Sequence, residues 1–193
     1  MDELNTKEEK RQLLENLKEK FCENSKQYKS EQYDEANTRA DFIDQFFMLL
    51  DWDMYNTNSY AEQYREVVRE DKVRINGVQK APDYSFRIGD TRKFFVEAKK
   101  PAINVKNAAE PAFQVRRYGY SAKLPLSILT NFEEFAVYDT RIKPSKTDDA
   151  SVARIFYCTY QDYLKEFDFL YNTFSKPAIL KGRLDRYVEE NKN

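Results

Sequence analysis

The sequence predicts an α/β domain in which a mixed sheet is flanked by helices. Two patterns carry that expectation. Apolar residues recur at helical spacing near both ends of the chain and again in its middle. Over residues 64–100, and again beyond Pro125, they alternate or cluster in short runs, as strands require. A length of 193 residues, 41% hydrophobic and 15% aromatic, supplies one well-filled core and leaves little room for two.

Residues 7–28 carry Leu13, Leu14, Leu17 and Phe21 among charges, the pattern of an amphipathic helix. A second helix is predicted over about 34–50, with Phe42, Ile43, Phe46, Phe47 and Leu50 as its apolar stripe. Stepping back along that stripe brings Arg39 and Glu35 near the same face. The polar run DWDMYNTNS ends it. Strands follow near 65–70, 82–88 and 93–99, with turns at INGVQ and IGDT, where glycine neighbours Asn or Asp. Residues 108–123 return to helical spacing, with Pro111 tolerated in the first turn. PLSILT, FAVYDT and ARIFYCTY read as three further strands, with a polar loop over 143–150. A helical tail begins at Gln161, aromatic at first and then charged. The order is α-α-βββ-α-β-β-β-α.

The chain has no histidine, which excludes Ser-His-Asp and Cys-His nucleophiles and histidine-ligated zinc. Chemistry must then run on carboxylates, lysines, tyrosines or a hard cation held by oxygen. Four glycines leave little material for a phosphate-cradling loop. Cys22 and Cys158 have neither zinc nor redox spacing, and no signal peptide or long apolar run is present. The expectation is a soluble, cytoplasmic protein with reduced thiols. With a net charge of -1, any nucleic-acid contact has to come from a local patch.

The stretch APDYSFRIGDTRKFFVEAKKPA, residues 81–102, raises the functional question. Alternation puts Phe95, Glu97 and Lys99 on one strand face, and Phe94, Val96 and Ala98 on the other, toward the core. A short hairpin at Gly89-Asp90 brings Asp83 beside Glu97. Two carboxylates that close do not both stay ionised comfortably without a cation between them. Mg²⁺, with Mn²⁺ as its substitute, suits an all-oxygen site. Lys99 is then placed to position or help deprotonate a water that attacks phosphorus in line. Glu-x-Lys by itself is a weak pattern, since it recurs at Glu8/Lys10 and Glu70/Lys72, and a solvated strand face competes with the catalytic account.

The following helix strengthens the catalytic account. Gln114 and Tyr118 share a helix face and can hydrogen-bond a phosphate, although a polar surface with Tyr118 half buried also fits the spacing. From Lys99 to Lys123, six basic residues stand against one acid, Glu110. A solvated face is the plain account of them, and an anion-binding groove fits better beside a metal site, which makes Lys100, Lys106, Arg116, Arg117 and Lys123 candidate DNA contacts.

With these residues the chain resembles the PD-(D/E)XK nuclease superfamily. Pro82-Asp83 followed by Glu97-Ala98-Lys99 matches the motif, and the αβββαβ order matches the restriction-endonuclease-like core. More narrowly it is similar to the N-terminal nuclease domain of type IIG restriction-modification enzymes and of the type I restriction motor subunit. DEANTRADFIDQFFMLLDWD, VEAKKP and FQVRRYGYSAKLPLSILTNFEEFAVYDT carry that likeness. Relatives usually have Gly where this chain has Asp51. The resemblance implies Asp83, Glu97 and Glu35 at a metal centre, Lys99 as the catalytic lysine, and Gln114 and Tyr118 in support.

It also implies a nuclease domain over 31–175, preceded by an N-terminal helix over 1–30 and followed by a connector over 176–193. Methyltransferase and target-recognition domains, or a motor, would lie outside this chain, and cleavage of a duplex would call for a dimer on DNA. Two alternatives stay open: a non-catalytic nucleic-acid-binding module of the same fold, and a structure-specific nuclease.

Overall fold

The computed structural model describes residues 6–191, so the ends of the expected N-terminal and connector segments, residues 1–5 and 192–193, lie outside the described residues. Helix α1 (Lys7–Glu23) starts at a capping box: Thr6 Oγ1 accepts from the Glu9 N–H, and Glu9 returns a bond to the Thr6 N–H. The helix breaks at Asn24, and a single turn, α2 (Ser25–Tyr28), completes the predicted stretch.

The second predicted helix is one helical run in three parts: α3 (Glu35–Thr38), a π segment (Arg39–Ile43) and α4 (Asp44–Leu49). Asp34 caps it by accepting from the Asn37 N–H at 2.8 Å. It ends where Asp51 takes a left-handed backbone, φ 66°, the position at which glycine is favoured after a helix. The Asp51 carboxylate compensates by pairing with the buried Lys10 amine at 2.9 Å and with the Tyr171 hydroxyl.

The expected mixed sheet is present. Strands β1 (Val67–Arg69), β4 (Tyr84–Ile88), β5 (Thr91–Ala98), β6 (Leu126–Thr130), β7 (Glu134–Asp139) and β8 (Arg154–Thr159) lie side by side in that order. Only the β5–β6 pair is parallel, and helix α5 (Ala109–Ser121) makes its crossover. Two short strands around INGVQ, β2 (Val73–Ile75) and β3 (Val78–Lys80), form a separate hairpin beside the main sheet. These two strands were not expected.

One sheet face, with Phe86, Phe94, Val96, Ile128, Phe135 and Val137, packs in the main core. Leu14 and Phe21 of α1, residues of α4 and those of α6 (Tyr163–Phe174) join it. So do Ile179 of α7 (Lys176–Leu180) and Leu184 and Val188 of α8 (Arg183–Glu190), which places both terminal segments on the same core. The other face is covered by α5 and the hairpin, where Val73, Ile75, Phe95, Tyr118 and Leu124 cluster. Close approach of α5 depends on Gly119, because a Cβ there would stand 2.6 Å from Ser127 Oγ and Thr140.

Candidate active site

The antiparallel register pairs Tyr84 with Val96, so one step further Asp83 stands opposite Glu97. Asp83 Oδ2 accepts from the Ala98 N–H at 2.7 Å, which continues the strand pairing through a side chain. Its Oδ1 accepts from Arg39 Nη1 at 3.1 Å, and Arg39 also lies 3.8 Å from Glu35 Oε1. The π segment supplies the geometry. The Asp44 N–H reaches back to the Arg39 carbonyl, and the extra residue in that turn shifts the helical register between Arg39 and Asp44.

Glu97 is 3% exposed, and its Oε2 has no hydrogen-bond partner. Burial first, and then the charges of Asp83 and Glu35, hold its carboxyl pKa far above the ordinary range, with Lys99 pulling the other way. Glu35 is raised as well, by burial and then by Asp83, with Lys99 and Arg39 opposing. Asp83, Glu97, Lys99 and Glu35 therefore form one electrostatic cluster. The Lys99 backbone N–H bonds the Thr130 carbonyl at 3.0 Å and fixes the lysine at the end of β5.

Among the described residues, no group of three or more His, Cys, Asp or Glu side chains is arranged to hold a metal ion. Glu35 is drawn toward Arg39 and acts on the pair through its charge. Asp83 and Glu97 remain a two-carboxylate donor set with one buried oxygen unused, a hard-oxygen pair of the kind that divalent cations take.

Gln114 and Tyr118 share a face as expected, and Gln114 Nε2 donates to Tyr118 Oη at 2.8 Å. Tyr118 packs beside Phe95, two residues before Glu97 on β5. Among the described residues, neither Gln114 nor Tyr118 bonds Asp83, Glu97 or Lys99.

The basic residues scatter. Arg116 is a correction: it is 1% exposed and donates to Asp148 Oδ2 at 2.7 Å, so it is not available to a phosphate. The reason lies in helical periodicity, since Ala112, Val115, Arg116 and Gly119 make the stripe that α5 turns inward. Lys100 pairs with Glu31 at 2.6 Å, and Lys106 lies over the Tyr157 ring. Arg117 stacks on Phe113, and Lys123 is exposed just beyond α5.

Two acids that organise the region went unnoticed in the sequence. Buried Asp44 accepts from Tyr84 Oη at 2.6 Å, from Tyr55 Oη at 2.9 Å and from Arg69 at 3.1 and 3.3 Å, which fixes the strand that begins next to Asp83. Buried Glu134 accepts from the Val105 and Lys106 N–H groups, Asn131 Nδ2 and Tyr157 Oη, and so clamps the crossover that leaves Lys99. Neither lies on a telling spacing. Arg39 was legible as the partner of Glu35 one turn away, but its reach to Asp83 was not.

Sequence comparison shows the family to which the chain belongs. Residues 2–146 match the family described as "Type I restriction enzyme R protein N terminus", and the chain belongs to that family. It is also 38% identical, over 186 residues, to the "Type II restriction enzyme and methyltransferase RM.Eco57I" of Escherichia coli. That match covers 95% of this chain and 19% of the relative, so the chain spans about a fifth of that protein's length. No solved structure gives a significant match. Among the described residues, no helix is long and apolar enough to cross a membrane.

Proposed function

We propose that this chain is a divalent-metal-dependent nuclease domain of a restriction system, hydrolysing phosphodiester bonds in cytoplasmic DNA, and a member of the PD-(D/E)XK superfamily. One observation carries the reading: Glu97 is buried beside Asp83 with an unpartnered carboxylate oxygen, on the strand that ends one residue before Lys99. Buried acids with a structural role are as a rule hydrogen-bonded, as Glu134 and Asp44 are.

Asp83 and Glu97 would hold the ion, Mg²⁺ or Mn²⁺. When bound, it supplies positive charge that offsets the charge developing on a phosphate in the transition state. The residues themselves do the rest. The Ala98 N–H orients the Asp83 carboxylate, and Arg39 holds it from the other side. Lys99 carries three N–H donors at Nζ, suited to orienting a water or a phosphate oxygen beside Glu97. Gln114 and Tyr118 present a paired amide and hydroxyl on α5 without adding charge. Target recognition and methylation, which the relative's name joins to restriction, would be supplied by regions outside this chain, and paired cleavage of a duplex by a second copy.

The test is isothermal titration of Mg²⁺ and Mn²⁺ into the wild type and an Asp83→Ala variant, together with plasmid nicking. Metal binding should disappear in the variant, and nicking should fall by at least about 10²-fold. Equal metal binding in both proteins, or none in either, overturns the reading in favour of a non-catalytic module.

A further inference from the structure

We infer that the cleft between α5, the β2–β3 hairpin and the 143–150 loop is the track along which the phosphate backbone of a DNA strand runs. The inference rests on the nuclease reading and names where its substrate lies. The cleft has a volume of about 560 Å³, and its lining includes Lys80, Phe113, Gln114, Arg117, Tyr118 and Lys146. Its three cations come from three different elements: a hairpin strand, a helix and a loop. Glu110 is the one acid among the lining residues. Neither Lys80 nor Lys146 has an ion-pair partner among the described residues.

Arg117 adds a guanidinium that lies 5.4 Å from the centre of the Phe113 ring. A guanidinium held against an aromatic face presents its planar fork to phosphate oxygens. Cations spread across three elements match a ligand with repeated negative charges better than a single small anion. Continuity with the candidate site comes through Tyr118, which lines the cleft and packs against Phe95 on the β5 face that carries Glu97.

Hydrogen bonds and packing hold the cleft's two lysine-bearing elements in place. Arg116, on the buried face of α5, donates to Asp148 at 2.7 Å, and Asp148 also accepts from the Ser145 N–H at 2.9 Å, so the loop bearing Lys146 is tied to the helix. The arginine that charge counting placed on the DNA surface thus buttresses a lysine that charge counting overlooked. Lys80 is likewise fixed, because Val73 and Ile75 anchor its hairpin in the Phe95–Tyr118 cluster and Arg92 bonds Asp71 at 2.7 Å.

The test uses fluorescence anisotropy of a labelled DNA duplex, titrated across salt concentrations without divalent metal so that no cleavage intervenes. The variants are Lys80→Gln/Lys146→Gln and a control, Lys165→Gln/Lys181→Gln, whose exposed lysines lie on α6 and in the turn after α7, elements packed on the opposite sheet face. Expected is a salt slope of log affinity shallower by about one for each cleft lysine, with the control unchanged. A cleft variant with the wild-type slope overturns the inference, whatever the nicking activity. Loss of the slope difference is distinct from failure of the nuclease reading, which would appear as wild-type protein that binds DNA but never nicks it with Mg²⁺. In that outcome a shallower slope in the cleft variant still upholds the track as a binding surface.

Discussion

Glu134 and Glu97 are both buried acids of the same sheet, two strands apart, and their surroundings are opposite. Glu134 accepts four hydrogen bonds, from two backbone N–H groups, an amide and a phenol. Glu97 is as deeply buried, yet one of its oxygens has no partner, and it faces two further carboxylates. Burial alone therefore does not single out a functional acid. What sets Glu97 apart is an unmet hydrogen-bonding demand beside like charge, the combination on which the proposed role rests.

The contrast is sharpened first by removing the satisfied acid. Glu134→Ala strands buried donors that now have charge-assisted bonds, at a cost of about 3 kcal/mol or more. For a chain of this length that lowers Tm by at least about 6 °C, and thermal melts measure it. A loss below about 1 kcal/mol would break the comparison.

Glu97→Gln should move the other way. Burial and Asp83 keep the Glu97 proton on in the folded chain, over a range where the unfolded chain has already released it. Stability from this group therefore falls as pH rises from the ordinary carboxylate range upward through neutrality. A glutamine there removes that dependence. The metal-free variant is expected to be more stable at pH 8 by at least about 1 kcal/mol and to match the wild type near pH 4; on the proposed metal-binding reading, added Mg²⁺ should stabilise the wild type and not the variant. Destabilisation at pH 8 equal to that of Glu134→Ala would mean that both acids are structural.

The same difference explains what could be read from the sequence. The sheet, the crossover helix and the Asp83–Glu97 juxtaposition all followed from alternation and a two-residue turn, which are local rules. The β2–β3 strands were missed because three residues each, one strand wholly exposed, give too little alternation to register. Arg116 was misplaced because its charge outweighed its helical position, although Ala112, Val115 and Gly119 already marked the buried stripe. Glu134 and Asp44 were illegible for a different reason. Their partners lie between 3 and 40 residues away and are mostly tyrosines and backbone groups, which carry no charge signal. The π segment, which sets Arg39 against Asp83, leaves no mark in an apolar stripe that reads as ordinary α-helix.

The finest cut through the comparison removes one bond from the satisfied acid. Tyr157 Oη donates to Glu134 Oε1 at 2.7 Å, and Oε1 also accepts from the Lys106 N–H at 3.0 Å. Tyr157→Phe deletes the phenol bond and keeps the ring on which Lys106 and Arg154 lie. Glu134 retains three donors, so the expected cost is about 1 kcal/mol, or roughly 2–4 °C in Tm. Nicking at a temperature well below the melt should be unchanged, because the crossover stays clamped and Lys99 keeps its backbone bond to Thr130. A variant that melts like the wild type but nicks slowly would assign Glu134 to the chemistry. The separation between a satisfied structural acid and an unsatisfied functional one would then fail at the point where it is drawn most finely.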